Sequence, residues 1–141
     1  MTGHEKIPNG TVLIDTSAWI CFFSRKGFDQ LKEIVSLLLD ENRAAIAGPI
    51  FVELVQGCRT LNEKEHLEEV FEGILWHPVT GEIWRHAADL GFNLRRKGVT
   101  VPAMDSLIAA IAIDCDSALL HYDSDFTFIS KHSKLRQYST K

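Results

Sequence analysis

Four acidic residues are placed where they could work together. Asp15 ends the apolar run Val12-Leu13-Ile14 and is followed by two hydroxyls, Thr16 and Ser17. Glu53 lies in the stretch FVELVQG, Asp105 follows Pro102 by three residues, and Asp123 comes directly after ALLHY. Taken singly, such acids have structural explanations. Asp and Glu are favoured at helix caps and first turns, and Asp-Ser-Asp at 123–125 suits a turn. Brought to one rim, four carboxylates would repel and raise one another's pKa, a cost that a cation would offset. No Cys or His neighbours them at metal-ligand spacing, so the donor set is all oxygen. That selects a hard ion, Mg²⁺ or Mn²⁺, and an ion held this way works on phosphate, binding its oxygens and activating water.

The elements between the acids must bring them together. Val12–Asp15 reads as a short buried strand after the turn signal Pro8-Asn9-Gly10. A helix from Ala18 to about Lys26 follows, capped by Thr16 or Ser17 and stopped at Gly27. Phe28–Asp40 has helical apolar spacing, Ala44–Ala47 is a short strand, and a helix runs from near Ile50 to Gln56. Asn62–Gly73 is an amphipathic helix with an acidic outer face. Ile74–Val79 is a strand that Pro78 confines to an edge. Further helices span Thr80 or Gly81 to Lys97 and Ala103–Asp114, the second opened by Pro102 and apolar nearly all round. Ser117–Tyr122 is a strand, and Leu135–Tyr138 a last short one. This alternation predicts an α/β protein, a three-layer α/β/α sandwich with a mostly parallel central sheet. In such sheets ligands bind beyond the carboxyl ends of the strands, where all four acids fall. We expect one domain over residues 1–141, with 1–10 as a loose leader.

Bulk properties narrow the function classes. At 141 residues and 45% hydrophobic composition the chain can bury a real core without staples. It contains no apolar run of about 18 residues, so no membrane helix is expected. Cys21, Cys58 and Cys115 are odd in number and lack a C-x-x-C pair, which suits a reducing cytoplasm and small core residues. The six histidines show no H-x-H or H-x-x-x-H spacing, which disfavours a histidine metal site. Trp19, Trp76 and Trp84 sit among apolar neighbours and read as core or interface residues. A net charge of −4 does not announce a nucleic-acid partner. Basic groups nonetheless occur at Arg25-Lys26, Arg95–Lys97 and Lys131–Arg136.

The order DTSAWI, FVELVQG, MDSLIAAIA, HYDSDF, running from Val12 to about Ile129, resembles the PIN-domain ribonucleases and, within them, the VapC-type toxins of toxin–antitoxin pairs. Each motif is loose, but all four in this order form a fairly specific signature. The resemblance implies a Mg²⁺-dependent endoribonuclease with Asp15, Glu53, Asp105 and Asp123 as catalytic acids, Asp15 and Asp105 being the direct metal ligands. It implies Ser17 as an ordering hydroxyl, Asp125 as an accessory acid with Phe126 packed beneath it, and a small cognate antitoxin and a second copy of the chain as partners. The basic groups become candidate guides for an RNA backbone. His121 departs from the pattern, standing where the family commonly has Thr or Ser, and reads as a neutral core or rim histidine.

Two other readings compete. A phosphotransfer fold would use Asp15 as nucleophile, but dehalogenase-like phosphatases usually show D-x-D where this chain has Asp15-Thr16-Ser17. A non-catalytic interaction module on the same scaffold would be expected to have lost acids that this chain keeps.

Overall fold

The structure, a computed structural model, describes residues 7–141. Five strands, β1 (Val12–Ile14), β2 (Ala44–Ala47), β3 (Leu75–His77), β4 (Ala118–His121) and β5 (Gln137–Ser139), form one sheet in the order β3-β2-β1-β4-β5. Every neighbouring pair is parallel, with Val12 aligned to both Ala44 and Ala118. The sheet is thus wholly rather than mostly parallel. β3 is an edge strand, as Pro78 requires. Seven helices connect and cover it: α1 (Thr16–Phe23), α2 (Asp29–Asp40), α3 (Gly48–Gln56), α4 (Leu61–Glu72), α5 (Gly81–Arg96), α6 (Ala103–Asp114) and α7 (Ser124–Lys131).

Two expectations need correction. The cap of α1 is Asp15 itself, not Thr16 or Ser17. Its carboxylate accepts from the Ser17 amide, and the helix starts at Thr16 and ends at Phe23. A two-atom carboxylate reaches the second amide of the helix from the strand end, so the hydroxyls are released for other bonds. The second concerns Asp123-Ser124-Asp125, read above as a turn. It opens helix α7, with Asp123 as cap accepting from the Asp125 amide. This helix has eight residues and buries only Phe126 and Ile129, too little periodicity to stand out. The last strand also starts two residues later and ends one later than expected, with Leu135 a buried core residue preceding it.

The core explains why the strands run straight to the rim. All residues of β1, β2 and β4 are buried, as a parallel sheet covered on both faces demands. Helix α6 buries every residue from Ser106 to Ala112, and its alanines let it lie close against its neighbours. Helices α5 and α6 also approach closely, since a Cβ on Gly91 would stand 3.3 Å from Ser106 Oγ. On the other side Trp19 is fully buried and meets the Phe71 ring edge-on at 4.9 Å. Trp76 is partly exposed with its indole N–H donated to the Phe71 carbonyl, while Trp84 is exposed. Cys21 is buried, and Cys58 and Cys115 are half-buried free thiols.

Of the leader expected over residues 1–10, the first six residues lie outside the described part. Within it, the Arg43 guanidinium donates to the carbonyls of Pro8 and Gly10. No helix among the described residues is long and apolar enough to cross a membrane.

The tight seat of α6 gives a direct test. Ala110→Leu adds volume at a position with no exposure and should cost about 1–3 kcal/mol of unfolding free energy in urea. Leu61→Ala, on an exposed surface, should stay within about 0.5 kcal/mol of the parent.

Candidate active site

Each acid reaches the rim by its own local rule. Strand β1 delivers Asp15 buried at its end, with the Asp15 amide bonded to the Leu120 carbonyl of β4 at 2.9 Å. Asp15 Oδ2 accepts both the Ser17 amide (3.0 Å) and the Ser17 hydroxyl (2.6 Å). The same Ser17 oxygen accepts the Tyr122 amide at 2.9 Å. Ser17 therefore links the end of β1 to the end of β4 and fixes the Asp15 carboxylate between them. Asp105 stands in the first turn of α6, and Asp123 and Asp125 occupy the cap and first turn of α7. Glu53, in the second turn of α3, accepts the Thr16 hydroxyl at 2.8 Å.

The acids are not equally close. One carboxylate oxygen from each of Asp105, Asp123 and Asp125 lies within 4.8 Å of the others. Asp15 adds its charge to the field at Asp105, and Glu53 adds its charge to the field at Asp15. The arrangement is a chain of acids, tightest around Asp105, with Glu53 at the far end. Asp125, treated from sequence as an accessory, stands in the tightest group. Its Asp-x-Asp spacing was visible. What sequence did not show was that a helix begins there and turns both side chains to one side.

The electrostatics follow this crowding. Asp105 is pushed up to about 7, chiefly by burial, then by the charges of Asp123, Asp15 and Asp125, and by a hydrogen bond to Asp125 that favours its protonated form. Burial also raises Asp15, and the field of Glu53 adds to this, while the bonds from Ser17 and the Thr16 amide pull the other way. Among the described residues, Asp105 Oδ2 is a buried oxygen with no hydrogen-bond partner. Such an oxygen is costly unless something binds it. All-oxygen donors, several negative charges and an orphaned acceptor suit a hard divalent cation.

His121, at the end of β4, is fully buried and stays neutral, its pKa lowered by burial. Its Nδ1 accepts the Asp123 amide at 3.1 Å, so the proton sits on Nε2, which donates to Gln137 Oε1 at 2.6 Å. With both nitrogens engaged, the ring holds Asp123 in place. Phe126 packs against its face with centroids 5.2 Å apart.

Comparison with known proteins agrees with this geometry. The PIN domain model matches residues 12–131. A VapC ribonuclease of Mycobacterium bovis and ribonuclease VapC11 of Mycobacterium tuberculosis are each 36% identical over 131 residues, covering 91% of this chain and 98% of theirs. The chain is a PIN-domain protein of the VapC family. Solved structures similar in fold include VapBC2 of Rickettsia felis bound to promoter DNA, with TM-score 0.75 and 18% identity over 93% of this chain and 99% of that one. VapBC-5 of Mycobacterium tuberculosis follows at TM-score 0.64 and 23% identity, over 94% and 100%. In this VapC-family chain the PIN core, β1 to α7, carries every acid of the rim.

The raised Asp105 predicts a pH effect on the metal-free protein. The unfolded residue ionises near 3.8 and the folded one near 7. Between these values the folded state retains a proton that the unfolded state has lost, so stability falls as pH rises. Asp105→Asn should therefore gain stability over the parent by roughly 2 kcal/mol more at pH 8 than at pH 5, after discounting for solvent screening. Urea melts in the presence of a chelator read this directly. An equal difference at the two pH values would show that Asp105 is not strained at the rim.

Proposed function

We propose that this protein is a metal-dependent endoribonuclease, the toxin of a toxin–antitoxin pair acting in the cytoplasm. The observation that carries the reading is the orphaned, buried Asp105 oxygen inside a group of carboxylates. A charge cluster of this kind is poorly suited to a purely structural role. The names of the mycobacterial relatives support ribonuclease activity, and free, unpaired thiols suit a reducing compartment.

In this reading Asp15 and Asp105 hold Mg²⁺, or Mn²⁺, with Glu53 and Asp123 completing the acidic pocket and Asp125 supporting it. When bound, the cation supplies positive charge to the phosphoryl oxygens and makes a water more acidic, so that it can attack an RNA phosphodiester in line. The chain's own residues prepare the geometry. Ser17 fixes the Asp15 carboxylate through Oδ2. Asp105, with its proton held up to about 7, would have to be ionised to hold a cation, which would couple metal affinity to pH near neutrality. His121 and the α7 cap set the direction of Asp123. Thr16 restrains Glu53 across the gap between α1 and α3.

The partners fit two surfaces. Ile20, Phe23, Leu54 and Leu67 line a groove of about 590 Å³ with Glu53 on its border, suited to an antitoxin segment that covers the groove and approaches the acids. The fold neighbours VapBC2 and VapBC-5 support a small cognate antitoxin. The exposed Trp84, Phe92 and Met104 around the α5–α6 groove suit a second copy of the chain.

Cleavage of a mixed RNA substrate should require Mg²⁺, stop with a chelator and return when the ion is restored. Asp15→Asn and Asp105→Asn should each lower the rate on the order of 100-fold or more. Full activity of Asp15→Asn would remove that residue from the site. Trapping a phosphoryl-aspartate on Asp15 would replace the hydrolytic reading with the phosphotransfer one.

A further inference from the structure

Beside the acids, one residue breaks two local rules at once. Phe28 is the N-cap of α2, yet it provides no side-chain cap, and its backbone is left-handed at φ 59°. Ser, Thr, Asp, Asn or Gly would serve better at a cap, and a bulky ring is rarely found at positive φ. Gly27 before it is also left-handed, at φ 83°, so two such residues in succession turn the chain here. Strain of this kind persists only where the surrounding structure holds it, and it gathers at binding and active sites.

The turn presents an aromatic surface at the rim. The Phe28 ring meets Tyr122 edge-on, with centroids 5.4 Å apart and planes at 86°, yet Phe28 stays 40% exposed. Tyr122 is the residue next to Asp123, and its amide is bound by the Ser17 hydroxyl that also holds Asp15. The platform is therefore tied through backbone and one hydroxyl to two of the acids. Lys141 Nζ lies over the Tyr122 ring at 5.5 Å, and Arg25 and Lys26 are exposed in the segment leading to Phe28. Cations and aromatic faces thus adjoin a pocket that is otherwise acidic.

We propose that Phe28 and Tyr122 form a stacking platform for a base next to the scissile phosphate of single-stranded RNA, with Arg25, Lys26 and Lys141 on the adjoining backbone. This rests on the ribonuclease reading above. Single-stranded RNA is held by such pairings of ring faces with basic side chains. The cations also supply what the acids lack, an attraction for the phosphates flanking the one being cleaved. Because every base has a π-face, the platform sets the path of the strand more than its sequence.

The test uses the full chain with a short single-stranded RNA carrying 2-aminopurine, which dims on stacking. Phe28→Ala should raise KM about tenfold, with a much smaller change in kcat, and should lose the dimming. Phe28→Trp should keep both. Phe28→Gly should match Phe28→Ala in KM while melting no lower than it, because glycine accepts the left-handed backbone. A merely structural Phe28 would not separate KM from melting in this way. Arg25→Ala with Lys26→Ala should flatten the dependence of KM on salt. If the wild type cleaves RNA and Phe28→Ala shows the same KM and the same dimming, the platform is overturned alone. A wild type that neither cleaves nor binds RNA sinks the nuclease reading and the platform together.

Discussion

The structure turns on a repulsion. Asp105, Asp123 and Asp125 are held close enough to share one ion, and the half-buried Asp105 has a buried oxygen that finds no donor. Left to relax, carboxylates so arranged would separate or take up protons. Asp105 holds its proton up to about 7, but the groups do not separate, because each is fixed by something other than its neighbours. Asp105 rides on α6, buried without a break from Ser106 to Ala112. Asp123 is bound into the start of α7, and Asp15 ends a strand with no exposed residue. The core overrides the repulsion, and the rim is where the cost appears.

Ser17 shows how the two halves of the sheet share that burden. One hydroxyl donates to Asp15 and accepts from the amide after β4, so a side-chain bridge continues the β1–β4 ladder past the Asp15 amide–Leu120 carbonyl bond. Movement of either strand end would break a short charge-assisted bond to a buried carboxylate. Asp15 is thereby oriented without a cation. The site is preorganised in its first acid and strained in its third, which is the condition for a cation to bind with little rearrangement.

Much of this was legible in the sequence, and the reasons are specific. The strands β1, β2 and β4 are continuous apolar runs with clear stops, which only a doubly covered parallel sheet explains. Helix α6 announced its burial by the stretch LIAAIAI after a proline. The rim position of Asp15, Glu53 and Asp123 followed from topology, since each comes at or just after the end of a strand, whereas Asp105 follows α5 and was placed by the helix start that Pro102 marks. Other features rest on single hydrogen bonds and left no pattern. That Asp15 caps α1, or that Asp123 opens a helix, depends on which oxygen reaches an amide first, and both choices were open to neighbouring hydroxyls and turns. The prominence of Asp125 over Glu53 was hidden for the same reason. It depends on the start of an eight-residue helix with two buried side chains.

His121 ends β4, and its bonds explain what a histidine does there. A serine or threonine hydroxyl could accept the Asp123 amide, but it is too short to reach β5 at the same time. The imidazole spans both, with Nδ1 on Asp123 and Nε2 on Gln137. The edge strand β5 is thus tied to the acid that opens α7. This works only while the ring is neutral, because a protonated Nδ1 could no longer accept. Burial keeps it so by lowering its pKa, and the linkage is opposite in sign to that of Asp105. The stability supplied by neutral His121 is present above about 6.5, the pKa of the unfolded residue, and is lost as pH falls below it, whereas Asp105 favours folding more as pH falls. Two neighbours at one rim therefore pull stability in opposite directions through mild acid.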